Sequence, residues 1–106
     1  METPVAFVDG HSGSRLEILV NFGVLTGREA TQAELDRLAH VLDAHPEHLT
    51  IVAERRQEYA QGTETVVNLV AVNVEAEPED VPRLLALCED WAADCAADRH
   101  LETLDL

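Results

Sequence analysis

The sequence predicts an α+β fold in which an antiparallel sheet carries two helices on one face. Two apolar, β-branched segments, LEILVNF and TVVNLVAVNV, predict strands, and two other stretches with apolar residues at helical spacing predict amphipathic helices. The chain has 106 residues, which suits one domain over residues 1–106.

The first predicted elements lie before residue 31. Residues 1–14 hold a short apolar run, PVAFV, and the turn formers DGHSGS, so we expect a loose N-terminal arm or an edge strand. From Leu16 to Phe22 apolar residues occupy every second position, which predicts a strand. Residues 23–30, GVLTGREA, contain two glycines and predict a loop.

A helix, a hairpin and a second helix are predicted next. Thr31 and Glu34 form a capping-box pattern, and Pro46 ends the helix that begins there. Residues 49–59 and 63–75 predict two strands of a hairpin joined by AQG. Residues 78–99 predict the second helix, and residues 100–106 predict an edge strand or a frayed tail.

The order strand, helix, strand, strand, helix and optional strand resembles the split β-α-β pattern of ferredoxin-like two-layer sandwiches. That topology places LEILVNF and TVVNLVAVNV, the two most apolar strands, at the centre of the sheet. The layout is similar to ACT-like regulatory domains and small ferredoxin-like barrel enzymes, although the chain matches no sequence motif of either. Layout alone does not define a function.

TVVNLVAVNV is apolar on both sets of alternating positions, so the sheet face opposite the helices also needs a cover. We predict that a second copy covers it, in a homodimer with two-fold symmetry. The other candidates are the N-terminal arm, a small apolar ligand and a different protein. The predicted dimer face consists of Leu19, Val52, Val67, Leu69 and Ala71.

The composition is strongly acidic, with 21 Asp and Glu against seven basic residues, all Arg, and a formal net charge of -14. This balance argues against binding to nucleic acid or to an anionic membrane, and favours solubility or docking to a basic partner. Neither a signal peptide nor an apolar segment of membrane-spanning length is found, so a cytoplasmic location is expected.

Two places suggest a small ligand. In the loop GVLTGREAT, Arg28 and free backbone amides suggest a small anionic or carboxylate ligand. On the open face, polar residues around the apolar centre suggest a pocket, with Asn21, Glu54, Arg56 and Asn73 as its candidates. An ion pair between exposed charges around this apolar centre explains Glu54 and Arg56 equally well.

Histidine and cysteine spacing predicts no metal site, no cofactor and no disulfide. His40, His45 and His48 lie near Glu47, but on one helix His40 and His45 would be about 140° apart, whereas paired ligands usually sit three or four residues apart. Cys88 and Cys95 on one helix would be about 10 Å apart, beyond disulfide reach.

These observations favour a non-enzymatic homodimeric domain for protein interaction or small-effector binding. One alternative is a small cofactor-free enzyme with its pocket on the open sheet face, using Arg56 and Glu54. The other is an acidic inhibitor or immunity-type protein that binds a basic partner.

Overall fold

The structure is a computed structural model that describes the backbone of residues 5–104 and the side chains of residues 5–97, except 46, 58 and 60. Its strands are β1 (Ala6–Ser12), β2 (Arg15–Val20), β3 (Leu49–Ala60) and β4 (Thr63–Glu75). Its α-helices are α1 (Phe22–Thr26), α2 (Gln32–Leu42) and α3 (Val81–Leu104), and single 3-10 turns cover Pro46–His48 and Pro78–Asp80. None of the helices within the described residues has the length and apolar content needed to cross a membrane.

The sheet is antiparallel throughout, with the order β1-β2-β4-β3. The predicted α+β class and the central position of β2 and β4 are confirmed, but the predicted ferredoxin-like strand order is wrong. The N-terminal segment forms the edge strand beside β2, because Gly13, with φ 60°, and Ser14 turn the chain straight back. Residues 100–104 continue α3 instead of forming a strand, and residues 105–106 lie outside the described range.

The loop predicted at residues 23–30 is in part a short helix. Strand β2 ends at Val20, two residues earlier than predicted, and Phe22 begins α1. Gly27 ends this helix in the left-handed conformation, with φ 72°, and its N–H donates to the carbonyl of Gly23. A Cβ on Gly23 would lie 3.1 Å from the Cβ of Asn68, so glycine lets α1 approach β4 closely.

The core lies between the sheet and the helices, on the face that the sequence predicts. It contains these buried residues of β2, β4, α2 and α3: Leu16, Ile18, Val20, Val70, Val72, Val74, Leu38, Leu42, Leu84, Cys88, Trp91, Ala92 and Cys95. Both cysteines are free, as expected. Burial raises the pKa of Cys88 to about 12 and that of Cys95 to about 11, so both thiols are neutral and pack as small apolar groups.

Glu34 joins the segment before α2 to α1 and α3. The predicted capping box is present: the Thr31 hydroxyl accepts from the Glu34 N–H, and the Glu34 carboxylate accepts from the Thr31 N–H. The same carboxylate accepts two hydrogen bonds of 2.7 Å from Arg28, whose guanidinium lies 5.4 Å from the centre of the Phe22 ring. The Glu34 carbonyl accepts a 2.9 Å bond from the Trp91 indole N–H.

We expect Glu34→Gln to lower the free energy of unfolding at pH 7 by about 1–2 kcal/mol, because it weakens a capping box and a charge-assisted pair. The hydrogen bonds from Arg28 lower the pKa of Glu34 from its ordinary 4.5 to about 2, so this stabilisation is complete above pH 4.5 and is lost as the pH falls towards 2. Urea unfolding across this range measures the effect.

Asp36→Asn is the matched control, because it removes one exposed carboxylate from the same helix. Equal losses in the two variants at pH 7 would contradict the role assigned to Glu34.

Candidate interaction surface

The face of the sheet opposite the helices, here called the open face, has an apolar row across its middle. Phe7, Leu19, Ala71 and Val52 are neighbours in register across all four strands. One row further along, towards Glu75, Glu17 pairs with Asn73, which in turn pairs with Thr50. The arrangement is an apolar centre with a polar border, as the sequence predicts.

Most of the predicted dimer face is already buried within the single chain. Leu19, Leu69 and Ala71 have only 2%, 5% and 2% of their surface exposed, and Val67 is partly buried. Val52 is the exception, with 46% exposed. The open face therefore offers a second copy less apolar surface than the strand pattern suggests, and the dimer face predicted there stays a prediction.

The predicted ligand residues are not gathered into one pocket. Arg28 lies on the helix side of the sheet and binds Glu34, and Arg56 donates two bonds, 3.0 and 2.8 Å long, to the Glu54 carboxylate. Asn73 lies opposite Thr50, six residues and about 20 Å along the hairpin from Arg56. Both arginines thus have a structural partner, and the ligand hypothesis gains no preformed site from them.

Asn21, the fifth of these residues, is buried where β2 passes into α1. Its backbone N–H donates a 2.7 Å hydrogen bond to the carbonyl of Val5. It therefore belongs to the junction between the N-terminal segment and α1.

The hairpin of β3 and β4 extends well beyond the rest of the sheet. Pairing between β2 and β4 ends at Val20 and Val70, whereas β3 and β4 remain paired out to Ala60 and Thr63. We call residues 55–60 and 63–68 the arm. Its turn, Gln61 and Gly62, has φ values of 53° and 79°, the left-handed pair that continues the strand twist of a hairpin.

The arm carries exposed apolar side chains on the face that it shares with the core, here called the arm face. Because side chains alternate along a strand, this face presents Arg55, Gln57 and Tyr59 of β3 and Glu64, Val66 and Asn68 of β4. Tyr59 is 72% exposed and Val66 45%, and Val24 of α1 is 69% exposed nearby.

Two shallow depressions lie on either side of Val66. One, of about 340 Å³, is lined by α1 and residues 65–68, and the other, of about 440 Å³, is lined by Arg55, Gln57 and Val66. The side-chain oxygen of Asn68, at the wall of the first, is buried and has no hydrogen-bond partner in the described part of the chain. An unpaired buried acceptor costs free energy, so a donor that reached Asn68 through this depression would stabilise the region.

Comparison of the chain with protein families, with curated proteins and with solved structures finds no match. The candidate function therefore rests on the geometry of the chain itself.

The sequence contains one signal for the arm, which is the difference in length between the central strands. LEILVNF has seven residues, whereas the segment from Thr63 to Glu75 has 13. Two paired strands of such unequal length leave part of the longer one without a partner on that side. Counting strand lengths, in addition to alternation, would have located the exposed surface.

On the open face, two carboxyl groups lie side by side. A hydrogen bond with Asp9 raises the pKa of Glu17 above its ordinary 4.5, partial burial and the charge of Asp9 add to the rise, and Asn73 opposes it. A carboxyl with a raised pKa destabilises the fold once it is ionised, and this cost disappears as the pH falls below that pKa.

Glu17→Gln should therefore increase the free energy of unfolding at pH 7, with a difference from the unchanged protein that shrinks towards pH 4. Urea unfolding at both values measures it. Glu89→Gln, on the exposed side of α3, serves as the control and should have little effect at either pH. A loss of stability in Glu17→Gln at pH 7 would show that the carboxyl pair is not strained.

Proposed function

We propose that this chain is a non-enzymatic interaction domain that forms a homodimer through the arm face. The observation that carries the proposal is the exposure of Tyr59, Val66 and Val24 around a two-stranded ribbon that extends past the sheet. A two-stranded hairpin alone is marginally stable in water. A partner on the arm face would remove apolar surface from water and stabilise the ribbon.

The distribution of side chains on the arm face favours a second copy as that partner. In strand register, the pair Gln57 and Val66 lies midway between Arg55 at one end and the pair Tyr59 and Glu64 at the other. A two-fold axis through the central pair would bring Val66 against Val66 of the second copy. The same axis would place Arg55 opposite Tyr59 and Glu64 of the second copy, so the surface is self-complementary.

Charge supports this arrangement. Arg55 is exposed and forms no ion pair with the described residues, whereas Arg28, Arg56 and Arg83 each pair with a carboxylate of the same chain. On a chain of net charge -14, an acidic copy of the same chain supplies a counterion for the guanidinium of Arg55. An aromatic ring and a carboxylate are both favourable partners for Arg.

Two valines of nearly equal exposure test where the dimer contact lies. Val66 is 45% exposed on the arm face and Val52 is 46% exposed on the open face, and both belong to the same hairpin. We expect Val66→Asp to weaken the dimer by roughly a hundredfold, because an unpaired charge would be buried, and Val52→Asp to leave it unchanged. Analytical ultracentrifugation over a micromolar concentration series measures both.

A monomer at all concentrations in the unchanged protein would refute the homodimer. Dissociation by Val52→Asp alone would move the contact to the open face. The amide NMR spectrum of each variant shows whether it remains folded.

A charge exchange tests the symmetry of the contact. Arg55→Glu and Glu64→Arg should each weaken the dimer, since each brings like charges together across the two-fold axis. The double variant should restore most of the affinity because the opposite charges are again paired, a result that ultracentrifugation can measure. Additive weakening in the double variant would rule out the proposed pairing, even if the arm face is still the contact.

A further inference from the structure

At the opposite end of the hairpin from the arm, the segment HPEH brings three metal-ligating side chains together. His45, Glu47 and His48 can each offer one ligand atom, and these atoms lie within 4.8 Å of one another. All three residues are exposed and lie in the turn between α2 and β3. The predicted angle between His40 and His45 argues against a metal site at these histidines, but it does not apply to His45 and His48.

The 3-10 turn explains the proximity. Helix α2 ends at Leu42, and Asp43, in the left-handed conformation with φ 50°, turns the chain away, so His45 is not on the helix. Residues three apart are eclipsed in a 3-10 helix, because it has three residues per turn. His45 and His48 consequently lie with ring centres 5.6 Å apart.

Glu75, at the end of β4, holds the His48 ring. The Nδ1 atom of His48 lies 2.8 Å from a carboxylate oxygen of Glu75. With the proton on Nδ1 donated to Glu75, the neutral ring presents the lone pair of Nε2. Metal-binding histidines commonly have this outer carboxylate, which fixes the tautomer and makes the ring a stronger ligand.

His45 has a different second interaction. Its Nδ1 accepts a 3.3 Å hydrogen bond from the Glu47 backbone N–H and so caps the 3-10 turn. Coordination through Nδ1 would use that lone pair, and coordination through Nε2 would place the proton on Nδ1. In both cases the capping hydrogen bond is lost. Because this bond is long, at 3.3 Å, its loss costs little free energy.

We propose that His45, Glu47 and His48 bind a zinc-type divalent ion, with Glu75 as a positioning residue. Two imidazoles and one carboxylate form a known donor set for Zn²⁺ that leaves a position open for water. Ca²⁺ and Mg²⁺ prefer oxygen ligands and are disfavoured by the two imidazoles. The site is independent of the arm face and of the proposed dimer.

Titration calorimetry of the full chain with Zn²⁺ tests the site. We expect one ion per chain, a loss of affinity of at least about tenfold in His48→Asn and in His45→Asn, and a loss of about 10- to 100-fold in Glu75→Gln. His40→Asn is the matched control, because it removes an exposed histidine of α2 outside the set. Mg²⁺ controls for attraction of any cation to this acidic chain.

An NMR measurement distinguishes coordination from general charge effects. Zn²⁺ should shift the amide signal of Glu47 and speed its hydrogen exchange in the unchanged protein, because the capping bond to His45 is given up. Zn²⁺ binding that persists in a double His45→Asn, His48→Asn variant would overturn the proposal. So would equal affinity for Mg²⁺, an unmoved Glu47 amide, or no binding of Zn²⁺ at all.

Discussion

The arrangement of the helices depends on Glu34. Its carboxylate binds Arg28 and the Thr31 N–H, and its carbonyl accepts from Trp91, so one residue connects the chain before α2 with α3. The ring of Phe22, which begins α1, lies 5.2 Å from that of Trp91 and completes the contact. This network connects the three helices, and only α1 among them approaches the described side chains of the arm, at Asn68. The tip of the hairpin, with Tyr59, stays exposed.

The features predicted correctly from the sequence have causes that lie within a few residues. Thr31 and Glu34 form a capping box because their spacing alone allows both hydrogen bonds. Alternation predicted that Ile18 and Val72 face the helices, because a strand allows only two orientations. The sequence left open whether residues 1–14 form an arm or an edge strand, and it did not predict the strand order, since local pattern does not decide which apolar segment pairs with β2. The turn between β1 and β2 has only two residues, so the loop-closure cost of this pairing is small. Pairing β2 with a C-terminal segment far along the chain would cost more.

Spacing failed as evidence against a metal site at the histidines for a similar reason. Angles measured from His40 assume that the α-helix continues to His45, but the left-handed Asp43 interrupts it, and the 3-10 turn after it has its own period. The partner of His48 is Glu75, which is 27 positions away in the sequence and becomes a neighbour only through the register of β3 with β4. Sequence spacing therefore contains no information on the contact between His48 and Glu75.

The segment TVVNLVAVNV therefore has two different halves. Around Ala71 the side chains on both faces of the strand are buried in the single chain, so its apolar character is needed for the fold. Around Val66 the same composition is exposed, which is the physical reason to look for a partner there. Val66 and Glu75 are nine residues, or about 30 Å, apart on one strand. The dimer contact and the metal site therefore share no residue, and failure of one leaves the argument for the other unchanged.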